Sequence, residues 1–261
     1  MQFNADRRCA LVSFGAGLMI SGLAQSSPVT AATEATLAPA SAKNLRELSR
    51  VIAGIPRRRD FKTVPMILDK PDLWDAAPIA AVLLYNGGPK QAWDNTDLTG
   101  PWLNGMRNSM NAQIWSFKEP NFLCVSATHG SAHLALFDQD MWEKYQLAKL
   151  AGSNVTRNTF IVTPPAFSHD PADFQSAQGA FSSKDNSVLA LQHRGVVFMA
   201  CHNTTWELAG RLVRAEQNPD RLAVDAIAAE LTNHLIRDVV LTPGIVGTLV
   251  KLQAAGFAYS R

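Results

Sequence analysis

Short apolar runs, each followed by a stretch of helical character, recur along this chain and constrain its fold more than any other feature. Ile79–Tyr85 is closed by Asn86-Gly87-Gly88-Pro89, and Phe122–Ala127 and Val196–Ala200 repeat the pattern. Runs of this length suit strands covered on both faces. Helical patterns fill the intervals, over residues 103–117, 138–150, 187–194 and 224–237. Strand followed by helix, repeated, argues for an α/β domain built on a parallel sheet with helices on both faces.

Local signals sharpen the later elements. Gly195 suits the left-handed position after the helix over 187–194, and the strand Val196–Ala200 then delivers Cys201 at its end. Thr204 with Glu207 three residues on has the pattern of a capping box, and Asn218-Pro219 stops the helix that follows. Asp238–Leu241 reads as a strand, Thr242 and Pro243 as the start of a helix ending at Gly256, and Phe257–Ser260 as a last strand. Phe160–Val162 is a weaker strand signal. Residues 163–186, rich in Pro, Ser and Asp, are too long for an ordinary connection and suit a lid or binding loop.

The amino-terminal third is different. Arg7 and Arg8 precede an uncharged run, Cys9–Leu23, and small residues lead to Thr30-Ala31-Ala32. Charge, apolar run and small-residue cleavage region are the order of a secretory signal peptide, expected over residues 1–32. The run is shorter than the roughly 20 residues that span a bilayer, so no permanent membrane anchor is expected and the mature protein is placed in the periplasm. The arginine pair resembles the twin-arginine export signal, while Asp6 and Ala10 leave ordinary Sec export open. Residues 33–76 read as an extension or linker with one helical pattern at Lys43–Ile52, and the domain proper as 77–261. Within the extension Arg57-Arg58-Arg59 reads as a solvated basic cluster. The chain has 24 basic and 22 acidic residues; without Asp6, Arg7 and Arg8 these become 22 and 21, which gives no electrostatic case for nucleic acid.

Cys201 carries the strongest chemical signal. Ligands of open parallel sheets bind beyond the carboxyl ends of the strands, and a thiol just ahead of a helix start suits a nucleophilic sulfur. His202 beside it, when protonated, would assist, and Glu207 would oppose. Burial as a small strand-end residue is the competing reading. His129 and His133 follow the strand that contains Cys124, at the same sheet edge. His129 is expected to line the pocket or to be a hydrogen-bonded loop histidine. Four-residue spacing on a helix would let both histidines join Cys201 as metal ligands, although no further cysteine or carboxylate completes such a set and no metal is assigned. Cys124, inside an apolar strand, reads as core. His193 and His234 sit near helix ends, and His169 on the long loop.

The segment Gly195-Val-Val-Phe-Met-Ala-Cys201-His-Asn203-Thr204 resembles the strand-to-helix segment of the DsrE/DsrF-like sulfur-relay family. The carboxyl end is similar to that family's closing pattern, through Pro243-Gly244, Leu249-Val-Lys-Leu-Gln253 and Gly256-Phe-Ala-Tyr259. The resemblance extends more loosely over 79–261. It implies a three-layer, flavodoxin-like DsrE fold and a homo-oligomer. It also implies a persulfide carrier or sulfurtransferase acting through Cys201, with His129, His202, Asn203 and Thr204 shaping the substrate pocket. No cofactor is needed for that chemistry, and the partner would be a protein that donates or accepts sulfane sulfur. Export and the long 163–186 segment depart from the small cytoplasmic relay proteins. A non-catalytic module of the same fold, binding a small ligand or a partner, is the alternative.

Overall fold

The computed structural model describes residues 35–151, 156–161 and 171–261. The expected signal peptide, His169 and part of the expected lid lie outside them. Five parallel strands form one sheet: β1 (Lys90–Asn95), β2 (Leu123–Thr128), β3 (Val197–Cys201), β4 (Val240–Thr242) and β5 (Ala258–Ser260), in the order β4-β3-β2-β1-β5. Eight α-helices accompany them among the described residues: α1 (Lys43–Gly54), α2 (Ala76–Leu83), α3 (Trp102–Asn111), α4 (Gln139–Lys144), α5 (Val188–His193), α6 (His202–Arg214), α7 (Val224–Asn233) and α8 (Ile245–Ala254).

Alternation along each strand divides the core in two. Cys124, Phe198, Ala200 and Leu241 face one side, with Met106 and Met110 of α3, Leu191 of α5, Leu208 and Leu212 of α6 and Ile227 of α7. Leu123, Val125, Met199, Cys201 and Val240 face the other, with Leu45, Leu48 and Ile52 of α1, Val82 of α2 and Ile245, Leu249 and Leu252 of α8. The steps β1→β2→β3→β4 all run in one direction over the first face. The return from β4 to β5 runs the opposite way over the second face, with α8 packed on β1, β2 and β3. Right-handed crossovers demand this pairing of direction with face.

The expected strand at 79–85 is corrected. Ala76–Leu83 is helix α2, with Pro78 in its first turn, where its missing N–H costs nothing. A short apolar run does not by itself tell a buried strand from a buried helix, and Ala-rich sequence favours the helix. The first strand is Lys90–Asn95, a polar segment with Ala92 buried at its centre. Its extended state is imposed by ladders on both sides, to β2 and to β5. Phe160 and Ile161 form a turn rather than a strand. The helix expected over 103–117 is α3 continued by a π-helical turn, Ala112–Ser116.

Residues 35–76 are not a free extension, because the compact unit runs from Ala32 to Arg261. Leu45, Leu48 and Ile52 bury one stripe of α1, worth roughly 1.5–3 kcal/mol per side chain. Gly195, at φ +92°, lies under Leu45, and a Cβ there would stand 3.0 Å from Leu45 Cδ2. Phe61, Val64 and Leu68 join the core of the opposite face. The basic triplet is correspondingly reassigned: Arg57 pairs with Asp238 at 3.4 Å and Arg59 with Asp75 at 2.7 Å, all four side chains being largely buried. Only Arg58 is half exposed. A charge run reads as solvated when its acidic partners lie as far away in sequence as Asp238. No helix of the described residues is long and apolar enough to cross a membrane.

Candidate functional site

Cys201 is both the last residue of β3 and the N-cap position of α6. The helix starts at His202, so Thr204 lies inside its first turn and is not the cap. The start of another helix meets the Cys201 sulfur. Gly244 is the N-cap of α8, and the N–H of Ile245 donates to Cys201 Sγ at 3.4 Å. Thr242, expected to cap α8, instead ends β4 and donates from Oγ1 to the carbonyl of Ala200. The residue is buried, at 4% exposure.

His133 and Thr205 hold the backbone of Cys201 in place. The Cys201 N–H donates to His133 Nδ1 at 3.4 Å, and Thr205 Oγ1 donates to the Cys201 carbonyl at 3.2 Å. With Nδ1 accepting, Nε2–H of His133 donates to Thr205 Oγ1 at 3.0 Å, which closes the loop. Burial lowers the His133 pKa to about 4, so the ring is neutral near pH 7, as these roles require. Thr205 carried no sequence signal of its own.

His129 leaves β2 one residue beyond the pair Thr128–Ala200, at the same sheet edge as Cys201. Two residues on from Ala127, it belongs to the same sheet face as Cys201. Its Nε2–H donates to Asp94 Oδ1 at 2.7 Å, and the Tyr259 hydroxyl donates to Asp94 Oδ2, also at 2.7 Å. That bond raises the Tyr259 pKa above its ordinary value. The ring therefore turns toward β1, and its Nδ1 is left to accept or carry a proton. Asp94 and Tyr259 were not legible as site residues, because the strand that carries Asp94 was not legible as a strand.

A cleft of about 390 Å³ opens at the carboxyl end of β1, between Trp93, Asn95 and Asp97 on the strand side and Asn104 and Asn108 on α3. It lies where the strand order reverses between β1 and β5, the position at which open α/β sheets bind ligands. Trp93 lies across Gly105 of α3, where a Cβ would come within 2.8 Å of the ring.

The remaining expected residues are dispersed. His202 is fully buried with Nε2 bonded to the carbonyl of Pro65 at 2.8 Å, and burial lowers its pKa, which removes it as a nearby cation. Asn203 is exposed and its amide lies over Gly244, where a Cβ would meet Nδ2 at 2.9 Å, so it borders the helix start that holds the sulfur. Thr204 is half buried. Cys124 is wholly buried in β2, and desolvation pushes its thiol up to about 12. The alternative metal set of His129, His133 and Cys201 has its ring nitrogens engaged elsewhere, apart from His129 Nδ1. Among the described residues, the ligand-type atoms of Asp138, Asp140 and His234 lie within 4.8 Å of one another, with His234 Nδ1 already bonded to Asp138 Oδ2. No family model, curated protein or solved structure matches the chain.

Proposed function

We propose that this protein carries sulfane sulfur as a persulfide on Cys201, as an exported member of the DsrE/DsrF-like group. The observation that supports this most is the seating of Sγ at the start of α8, with the Ile245 N–H donating to it. A backbone donor at the start of α8 stabilises negative charge on sulfur as it develops during attack. In the step, the Cys201 sulfur bonds to the outer sulfur of a donor R–S–SH while the R–S to sulfur bond breaks. The departing sulfur takes the bonding electron pair and the proton from Cys201, giving Cys–S–SH and R–SH. No oxidant, metal or cofactor is consumed. His129, held toward β1 by Asp94, shapes the rim of the pocket at the same sheet edge.

The partner is a sulfane-sulfur donor or acceptor protein outside the cytoplasm. Val246 and Val250, exposed one turn apart on α8, are the apolar surface that a homo-oligomer would cover. The test is intact mass after exposure to polysulfide. The wild type and Cys124→Ser should gain the mass of sulfur, reversed by a thiol reductant, and Cys201→Ser should not. A gain that survives Cys201→Ser rules the proposal out, as does no gain in the wild type.

The cleft beside Trp93 favours a second reading, a non-catalytic small-ligand module. In that case Trp93 emission would respond to a ligand and Cys201→Ser would leave the response unchanged.

A further inference from the structure

Arg194 is the most deeply buried charge in the described structure, at 1% exposure, and it has no carboxylate partner there. It follows α5 and precedes β3, at the end of the sheet opposite Cys201. Its Nη2 donates to Asn111 Oδ1 at 2.7 Å, and its guanidinium lies 4.8 Å from the centre of the Phe181 ring. Nε and Nη1 have no acceptor. Trp115 Nε1, on the ring that meets Phe181 edge-on, is a third buried N–H without one. Arg107, close enough to repel Arg194, donates to the carbonyl of Phe181 at 3.0 Å.

The charge persists at neutral pH. Burial, with Arg107 adding to it, lowers Arg194 to about 9, still well above 7. Cys124, the nearby group that could supply a counter-charge, is neutral there because its thiol is pushed up to about 12. The Phe181 face and the Asn111 amide offset part of the cost, but neither is an anion. A water molecule would satisfy donors without neutralising charge. Buried charges that persist in folded proteins are paired.

We propose that a small inorganic anion, of the size of chloride up to a sulfur oxyanion, binds at Nε and Nη1 of Arg194 beneath the 171–185 segment. Phe181 closes the site from above, and Arg107 adds a second positive charge. The reading is independent of Cys201.

The test is thermal unfolding of the purified protein in chloride, thiosulfate or sulfate, at ionic strength held constant with gluconate, an anion larger than the proposed class. The wild-type Tm should rise by roughly 3–6 °C for each tenfold increase in anion above the binding midpoint. Arg194→Met should abolish the difference between anion and gluconate, which also removes general salt effects from the comparison. Crystals soaked in bromide should show anomalous scattering beside Arg194 Nε or Nη1, and this measurement decides the matter if Arg194→Met does not fold. An equal anion response in wild type and Arg194→Met overturns the proposal. So does water alone at Arg194 in the bromide crystal.

Discussion

The two cysteines of the described structure should differ in reactivity by orders of magnitude, and the difference follows from where β2 and β3 place them. Cys124 is wholly buried as the second residue of β2, which is laddered to β1 and β3, and desolvation pushes its thiol up to about 12. At pH 8 such a thiol is ionised to about one part in 10⁴, against roughly a quarter for an ordinary thiol, so its alkylation is slower by about three orders of magnitude before access is counted. Access lowers the rate again, because reagent reaches a central strand only when the sheet opens. Cys201 is also buried, at 4% exposure, but it lies at the end of its strand, at the start of α6. Timed exposure to iodoacetamide at pH 8, quenched and read by peptide mass, should therefore modify Cys201 first and leave Cys124 intact. Denaturant should then make the two equal. Modification of Cys124 at a rate comparable with Cys201 in the native protein would refute both the burial argument and the placement of the thiols.

Asp75→Ala should destabilise the fold by about 3–5 kcal/mol, because it leaves the Arg59 guanidinium unpaired and the buried Leu241 N–H without its acceptor; urea unfolding showing less than about 1 kcal/mol would contradict the packing of residues 35–76. His133 is held below its unfolded value by burial, so its neutral form contributes stability that is complete above about pH 6.5 and declines toward pH 4, with a slope of up to about 1.4 kcal/mol per pH unit. His202, lowered for the same reason, adds in the same direction; urea midpoints flat across pH 4–6.5 would contradict both. Gly105→Ala should cost about 1–3 kcal/mol and alter tryptophan emission, since the new Cβ would come within 2.8 Å of the Trp93 ring; unchanged emission would show that the ring does not lie over α3.

Much of the sheet and its covering helices was written in local sequence. Phe122–Ala127 and Val196–Ala200 are strands because continuous apolar runs satisfy a sheet covered on both faces, and both lie at its centre. Ser187 caps α5 through its side chain and Gly195 takes the left-handed backbone that ends it, both local effects. The parallel α/β class and the position of Cys201 at a strand end followed from the same signals.

What sequence could not supply was anything that depended on a distant partner. Lys90–Asn95 is a strand because β2 and β5 flank it, and neither its polarity nor its length announces that. Ile79–Leu83 is apolar enough for a strand but folds as a helix over α1. Arg57 and Arg59 became structural charges only when Asp238 and Asp75 arrived beside them, and His129 acquired Asp94, and through it Tyr259, only when β2 and β5 closed on either side of β1. Backbone propensity, caps and apolar runs act over a few residues, so one sequence window contains them. Ion pairs, shared hydrogen bonds and the choice between two apolar secondary structures are settled by the free energy of the packed whole, and for this chain that is where the site was assembled.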